Sequence, residues 1–292
     1  MKVAIYGRNF DKSFRENVEK FFKILQNNNI DIVVYSKFFD FLKREIDFNI
    51  NSVSVFSKHD EIKEDTDLLF SIGGDGTILD AVTFVRNYNI PIVGINTGKL
   101  GFLASIAKEE IESALKSILA GDYNIEERTL LKLESSSGIF KEFPYSLNEI
   151  SVQKIDSAMI TVHVYIDGEF LNSYWADGLL ISTPTGSTAY SLSVGGPIII
   201  PQSGNFIISP ISPHNLTVRP IVLPDTSKLQ LKLESRSLNY IASLDHRSIM
   251  IKNTEELSIC KADFKIRLIK LNDTSFYKTL RNKLMWGVDK RN

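Results

Sequence analysis

The sequence predicts an α/β N-terminal domain with a doubly wound, mostly parallel sheet, followed by a β-rich C-terminal domain. Two observations carry this. Up to about residue 125, short apolar runs alternate with segments whose apolar residues recur at helical spacing. Beyond that point the spacing becomes two, the signature of strands with one buried face. The domains are therefore expected at 1–125 and 126–274, with the closing segment 275–292 packing back on the first domain.

In order, residues 3–6 form a short apolar run. Phe14, Val18, Phe21, Phe22 and Leu25 follow at helical spacing, behind Asp11 or Ser13 as a cap. Residues 32–35 read as a strand, and Phe38, Phe41 and Leu42 as a short helix. Residues 53–56 and 68–72 are further strands. Ile78, Leu79, Val82 and Val85 mark a helix opening at Ile78. Residues 92–95 are a strand, and Ile111, Leu115, Ile118 and Leu119 a helix stopped at Gly121. Then Ile160, Val162, Val164 and Ile166 alternate with other residues, and Asp167-Gly168 supplies a hairpin turn. Leu229, Leu231 and Leu233 alternate likewise, as do Phe264, Ile266 and Leu268. Residues 275–284 are helical again.

Composition narrows the class. Of 292 residues, 43% are hydrophobic and 24% charged, and the formal charge is −1, which gives no electrostatic reason to expect a nucleic acid or an anionic membrane as partner. No apolar run approaches the length of a membrane span. The single cysteine, Cys260, cannot form an intramolecular disulfide, suits a reducing compartment and reads as a buried structural thiol. His59, His163, His214 and His246 have no metal-ligand spacing, so no metal ligand is assigned to the protein.

Four constellations carry chemistry. Gly73-Gly74-Asp75-Gly76-Thr77 follows a buried strand and opens a helix. Glycines there let a ligand approach the main chain, and the free N–H groups of a helix start favour a phosphate. The pattern is neither a Walker loop nor a dinucleotide G-x-G-x-x-G. Asn96-Thr97-Gly98-Lys99-Leu100-Gly101-Phe102-Leu103 follows the next strand and should lie on the same sheet edge, where ligands bind in such folds. At Asn148-Glu149 an amide beside a carboxylate suits a ribose, although a dipeptide alone says little. Residues 175–197 are dense in small hydroxyls and glycines around one tyrosine. That suits a planar base against Tyr190 and polar edges at Thr188 or Ser193, with Asp177 accepting from a hydroxyl or amine. A weaker candidate is the turn Ser243-Leu244-Asp245-His246-Arg247.

Together and in this order, these motifs resemble the NAD kinase family. Gly73 to Thr77 match its GGDGT signature, and Asn96 to Leu103 look like its N-x-G-x-L-G-F-L segment. Asn148-Glu149 matches its NE dipeptide. Asp177-Gly178 with Thr185 to Pro197 matches its longest motif. Pro213-His214 with Arg219-Pro220 is similar to its P-H-x-L-x-x-R-P stretch. GGDGT is shared with lipid kinases; the long Thr/Ser/Gly motif is specific. A lipid kinase would need an apolar acyl pocket where residues 183–193 are rich in hydroxyls.

The resemblance implies an enzyme that moves the γ-phosphate of ATP to the 2′-hydroxyl of NAD. It implies Asp75 as proton acceptor. It implies NAD contacts at Asp75, Gly76, Asn148, Glu149, Asp177, Thr188, Ala189, Tyr190, Ser191, Leu192 and Ser193. Gly73, Gly74, Gly76, Thr77, Asn96, Gly98 and Lys99 would face the phosphates of ATP. Mg²⁺ or another divalent ion would accompany ATP, in a cytoplasmic homodimer or homotetramer. Two positions depart from common variants. Many relatives have a basic residue three after the signature Thr, where this chain has Asp80, which cannot contact a phosphate. Many have Gly after the Asp of the late turn, where this chain has His246.

Overall fold

A computed structural model describes residues 1–46, 53–62, 65–98, 101–234, 237–272 and 274–285. The chain divides into two compact units, Met1–Glu127 with Ile266–Asn292, and Arg128–Lys265.

The first unit runs β1 (Lys2–Gly7), α1 (Arg15–Asn27), β2 (Asp31–Tyr35), α2 (Ser36–Glu45), β3 (Ser54–Phe56), β4 (Leu68–Ile72), α3 (Asp75–Val85), β5 (Ile92–Ile95) and α4 (Ile111–Leu119). The strands lie in the order β5-β4-β1-β2-β3, and every pairing among them is parallel. The order reverses between β1 and β4, and in such sheets the crevice outside the carboxyl ends at that reversal is where ligands bind. The strands are apolar on both faces because helices cover both: β4 is buried along its whole length. Ile5, Phe70 and Val93 share a core with Phe22 and Leu25 of α1 and Leu115 of α4. Phe22 is fully buried there, so truncating it to Ala would cost about 3–5 kcal/mol.

The second unit is antiparallel. Its elements are β6 (Asn124–Ser135, entering from the first unit), β7 (Tyr145–Ser146), β8 (Glu149–Gln153), β9 (Ile160–Ile166), β10 (Glu169–Ala176) and β11 (Gly178–Ser182). They continue with the helical turn α5 (Tyr190–Ser193), β12 (Asn205–Ile211), β13 (Ile221–Pro224), β14 (Leu229–Glu234), β15 (Asn239–Leu244), β16 (Arg247–Lys252) and β17 (Leu257–Lys270). One sheet runs β13-β12-β11-β8-β15-β16; another joins β10, β9, β14 and β17. Val162 and Leu231 from the latter share a core with Ile150, Ile181, Phe206 and Tyr240 from the former. The last residues of β17 return to the first unit, where Leu268 pairs in parallel with Ile92. Helix α6 (Phe276–Leu284) follows, capped by Ser275, whose Oγ accepts the N–H of Lys278 at 3.1 Å.

The mostly parallel first sheet and the β-rich second unit are as the sequence predicts, and α4 ends as expected, with Gly121 at φ +75°. Two details differ. Helix α3 opens at Asp75 rather than Ile78, with Gly74 as its N-cap. The residues of that first turn are polar or glycine, so apolar periodicity cannot register them. Neither Asp11 nor Ser13 caps α1 with its side chain: a short 3-10 turn at Lys12–Phe14 leads in, and Phe14 N–H bonds the Asp11 carbonyl instead.

Candidate active site

Asp75 is the first residue of α3, at the carboxyl end of β4 beside the strand-order reversal. Its side chain is 29% exposed, and most of its carboxylate is engaged by the main chain. Oδ2 accepts the N–H of Phe102 at 2.8 Å, and Oδ1 accepts those of Leu103 at 3.0 Å and Ala104 at 2.9 Å. The GGDGT loop and the second glycine loop are therefore tied together through one side chain. A carboxylate offers about four acceptor positions; three are filled, and one on Oδ2 is left. Lys283 of α6 stands opposite, with Nζ 3.8 Å from Oδ2 and 4.7 Å from the centre of the Phe102 ring.

The glycines of these loops divide by what they meet. At Gly73, with φ at +155°, a Cβ would lie 2.1 Å from Thr77 Oγ1; at Gly101 it would lie 1.8 Å from Asp75 Oδ1. Protein packing demands glycine at both. At Gly74 and Gly76 a Cβ would meet nothing within 4 Å. Their main chain faces open space at a helix start, an arrangement suited to a phosphate. Thr77 is buried, its N–H on the Gly74 carbonyl. Asn96 is buried too, and its Oδ1 holds the N–H of Gly98 at 2.7 Å. Lys99 and Leu100 lie outside the described residues.

In the second unit, Asn148 and Glu149 open β8. The late turn supports them. Asp245 Oδ1 accepts the N–H of Asn148 at 2.8 Å and of Glu149 at 3.2 Å and the Ser146 hydroxyl at 2.8 Å; Oδ2 accepts the N–H of Leu147 at 3.0 Å. Asp245 itself takes φ +53° in the turn between β15 and β16, whereas His246 has no positive φ and needs no glycine. Burial, then the Asp245 charge, pushes the Glu149 carboxyl up to about 8, opposed by the N–H of Tyr190. Glu149 Oε2 is buried without a hydrogen-bond partner. A buried polar atom left unmet in this way costs stability unless a partner reaches it, and a ribose hydroxyl, which can both donate and accept, is such a partner.

The Thr/Ser/Gly segment wraps over this dipeptide. Thr183 N–H bonds the Asn148 carbonyl at 2.9 Å, and Thr183 Oγ1 donates to the Leu147 carbonyl at 2.6 Å. At Gly186 a Cβ would sit 2.2 Å from the Asn148 carbonyl oxygen. Ser187 Oγ donates to the Pro184 carbonyl at 2.7 Å and accepts the N–H of Ile199 at 3.0 Å. Ser191 is fully buried against Ser209. Most hydroxyls in this stretch therefore hold the loop rather than line a pocket. Thr188 and Leu192 are half-buried, Ala189 likewise, and Tyr190 and Ser193 are exposed.

Asp177 stands elsewhere. It precedes β11, and the register pairs Gly178 with Gln153 but Ser182 with Glu149. At about 3.3 Å per residue, Asp177 is roughly 16 Å from Ser182 along the strand. Its Oδ1 pairs with Lys154 Nζ at 2.6 Å. One chain thus brings Asn148 and Glu149 to residues 183–190 but leaves Asp177 at the far end of the same strand.

Lys283 leaves no local pattern in the sequence that would place it beside Asp75, whereas the turn chemistry at Asp245 is visible there. No group of three or more His, Cys, Asp or Glu side chains among the described residues is arranged to hold a metal ion. No helix among them is long and apolar enough to cross a membrane.

Comparison with known proteins agrees with this layout. Residues 3–123 match the ATP-NAD kinase N-terminal domain, and residues 147–271 the ATP-NAD kinase C-terminal domain. The chain is 48% identical to an NAD kinase from Cytophaga hutchinsonii and 44% identical to one from Bacteroides fragilis, in each case over 100% of both chains. Its fold resembles that of yeast NADH kinase in complex with NADH, at TM-score 0.89 and 23% identity over 99% of this chain and 88% of that one. It also resembles an NAD kinase from Archaeoglobus fulgidus in complex with ATP, at TM-score 0.75 and 25% identity over 98% and 99%. The chain belongs to the ATP-NAD kinase family.

Proposed function

We propose that the chain transfers the γ-phosphate of ATP to the 2′-hydroxyl of the adenosine ribose of NAD, giving NADP and ADP, with Asp75 as proton acceptor. The observation that carries this reading is the open acceptor position on Asp75 Oδ2, on a glycine loop at the strand-order reversal. A ribose hydroxyl is a poor nucleophile at neutral pH, and a carboxylate that takes its proton during attack contributes about 10²–10⁴-fold. Three main-chain N–H bonds fix the carboxylate, so the remaining lone pair has a defined direction. Lys283 faces the same oxygen and adds a positive charge where negative charge gathers in phosphoryl transfer.

The phosphates of ATP fall to the open main chain of Gly74 and Gly76, beside Gly73, Thr77, Asn96, Gly98 and Lys99. A divalent cation, Mg²⁺ in our reading, supplies charge neutralisation at those phosphates. Mg²⁺ is commonly bound through substrate phosphates and one or two carboxylates rather than by a protein cage, and Asp75 is a carboxylate beside the open main chain of Gly74 and Gly76. Asn148 and Glu149 hold the ribose of NAD, with the buried Glu149 Oε2 hydrogen-bonded to a hydroxyl. Thr188, Ala189, Tyr190, Ser191, Leu192 and Ser193 complete that pocket, Tyr190 offering its ring to a base. Orientation of one hydroxyl among several is what such a rigid pocket provides. Asp177 is assigned to NAD on the family resemblance alone. So are a cytoplasmic location and a homodimeric or homotetrameric state.

The test is NADP formation from NAD, ATP and Mg²⁺ by the purified chain, read with an NADP-specific dehydrogenase. Appearance of NADP supports the reading; its absence overturns it.

A further inference from the structure

Arg8 follows β1 directly, and its N–H bonds the Ile72 carbonyl at 3.3 Å, the last residue of β4 before the GGDGT loop. β1 and β4 are the two strands that flank the reversal of strand order. The Arg8 side chain is 54% exposed, yet it is not loose. Its Nε donates to Asp80 Oδ2 at 2.7 Å, and its Nη2 lies 2.5 Å from the same oxygen. Tyr6, two residues earlier on β1, donates its hydroxyl to that oxygen at 3.1 Å. Burial, then the Asp80 charge, raises the Tyr6 hydroxyl well above its ordinary range, so it stays a neutral donor. Asp80 lies on α3, about one and a half turns beyond Asp75, and its own side chain is only 14% exposed.

We propose that Arg8 is the cation that meets the triphosphate of the phosphoryl donor at this edge, and that Asp80, seconded by Tyr6, is the positioning residue that aims it. The proposal rests on the kinase reading above. A guanidinium has five N–H donors; Asp80 engages Nε and one Nη2 proton, leaving the far side of the fork to solvent at the strand edge from which the GGDGT loop springs. Arg is suited to phosphate because its planar fork matches two oxygens at once. A purely structural pair at this exposure contributes about 0–1 kcal/mol of stability and would leave donor affinity alone, which separates the two roles.

The experiment measures KM for ATP, KM for NAD, kcat and Tm in the wild type and in Arg8→Ala, Arg8→Lys and Asp80→Asn. The expected result is a KM for ATP raised about tenfold or more in Arg8→Ala (about 1.4 kcal/mol), with KM for NAD within twofold and Tm within a few degrees. Arg8→Lys recovers part of the loss, and Asp80→Asn shows a smaller rise in the same constant. An unchanged KM for ATP in Arg8→Ala, or equal rises for both substrates with a lowered Tm, overturns the inference. A wild type that makes no NADP overturns the kinase reading itself, so the two failures are distinct.

Discussion

Gly101 approaches Asp75 so closely that a Cβ on the glycine would lie 1.8 Å from Asp75 Oδ1. The second glycine loop thus serves as the mould for the carboxylate on the first, and its N–H groups at 102–104 complete the fit. Gly101→Ala should displace Asp75 and lower kcat by about 10²-fold or more, the scale of a lost general base. NAD affinity, measured by calorimetry, should change little, because Asn148 and Glu149 are held by Asp245 and Thr183. A kcat within threefold of wild type would show that the carboxylate's place is not what the loop secures.

Lys283→Met removes the charge 3.8 Å from Asp75 Oδ2 and keeps much of the apolar stem over Phe102. Both partners are partly exposed, so stability should fall by less than about 1 kcal/mol. Turnover should fall by about tenfold with KM for NAD within twofold. Thermal unfolding and steady-state kinetics on the same preparation check both halves; a large drop in Tm with normal kcat would make α6 a structural clamp only.

Asp245→Ala leaves the N–H groups of Leu147, Asn148 and Glu149 and the Ser146 hydroxyl without their shared acceptor. Each buried donor left unmet costs about 1–3 kcal/mol before relaxation. The expected outcome is a Tm lower by several degrees and a KM for NAD raised about tenfold or more. An unchanged KM would separate the turn from the dinucleotide pocket.

Much of the fold is legible in the sequence because burial leaves a period. The strand at Ile160–Ile166 and the helix containing Ile111, Leu115 and Ile118 declare themselves this way, while Leu68–Ile72, buried along its whole length, shows instead as an unbroken apolar run. The glycine loops are equally plain, since protein packing at Gly73 and Gly101 and open space at Gly74 and Gly76 require the same residue type for different reasons. What stays hidden is long-range pairing. Nothing near Asp80 in sequence points to Arg8, so the acid on α3 reads as a missing phosphate contact until β1 is placed beside β4. The hydroxyls at 182–191 divide in a way the sequence does not show: those of Ser182, Thr183 and Ser187 are buried on carbonyls of their own loop or of residue 147, while Thr188 stays half-buried and Tyr190 exposed.

Glu149 gives a pH signature. Its folded carboxyl is raised from 4.5 to about 8, so the folded state holds this proton more tightly than the unfolded chain. The associated stability is fully present below about 4.5 and is lost as pH rises through about 8. Glu149→Gln should flatten that fall, a contribution on the order of a few kcal/mol. Denaturant unfolding of wild type and variant from pH 5 to 9 tests it; parallel curves would contradict the buried, protonated carboxyl.

In the proposed reaction Asp75 takes the proton of the NAD 2′-hydroxyl. Asp75→Asn keeps Oδ1 for the N–H groups of Leu103 and Ala104, gives up the Phe102 N–H bond, and removes the charge and open lone pair of Oδ2. The most direct measurement is the rate of NADP formation from NAD and ATP by wild type and Asp75→Asn, with NAD binding and Tm recorded alongside. The rate should be lower by about 10²-fold or more in the variant, with binding and folding kept. Turnover near that of the wild type would contradict it.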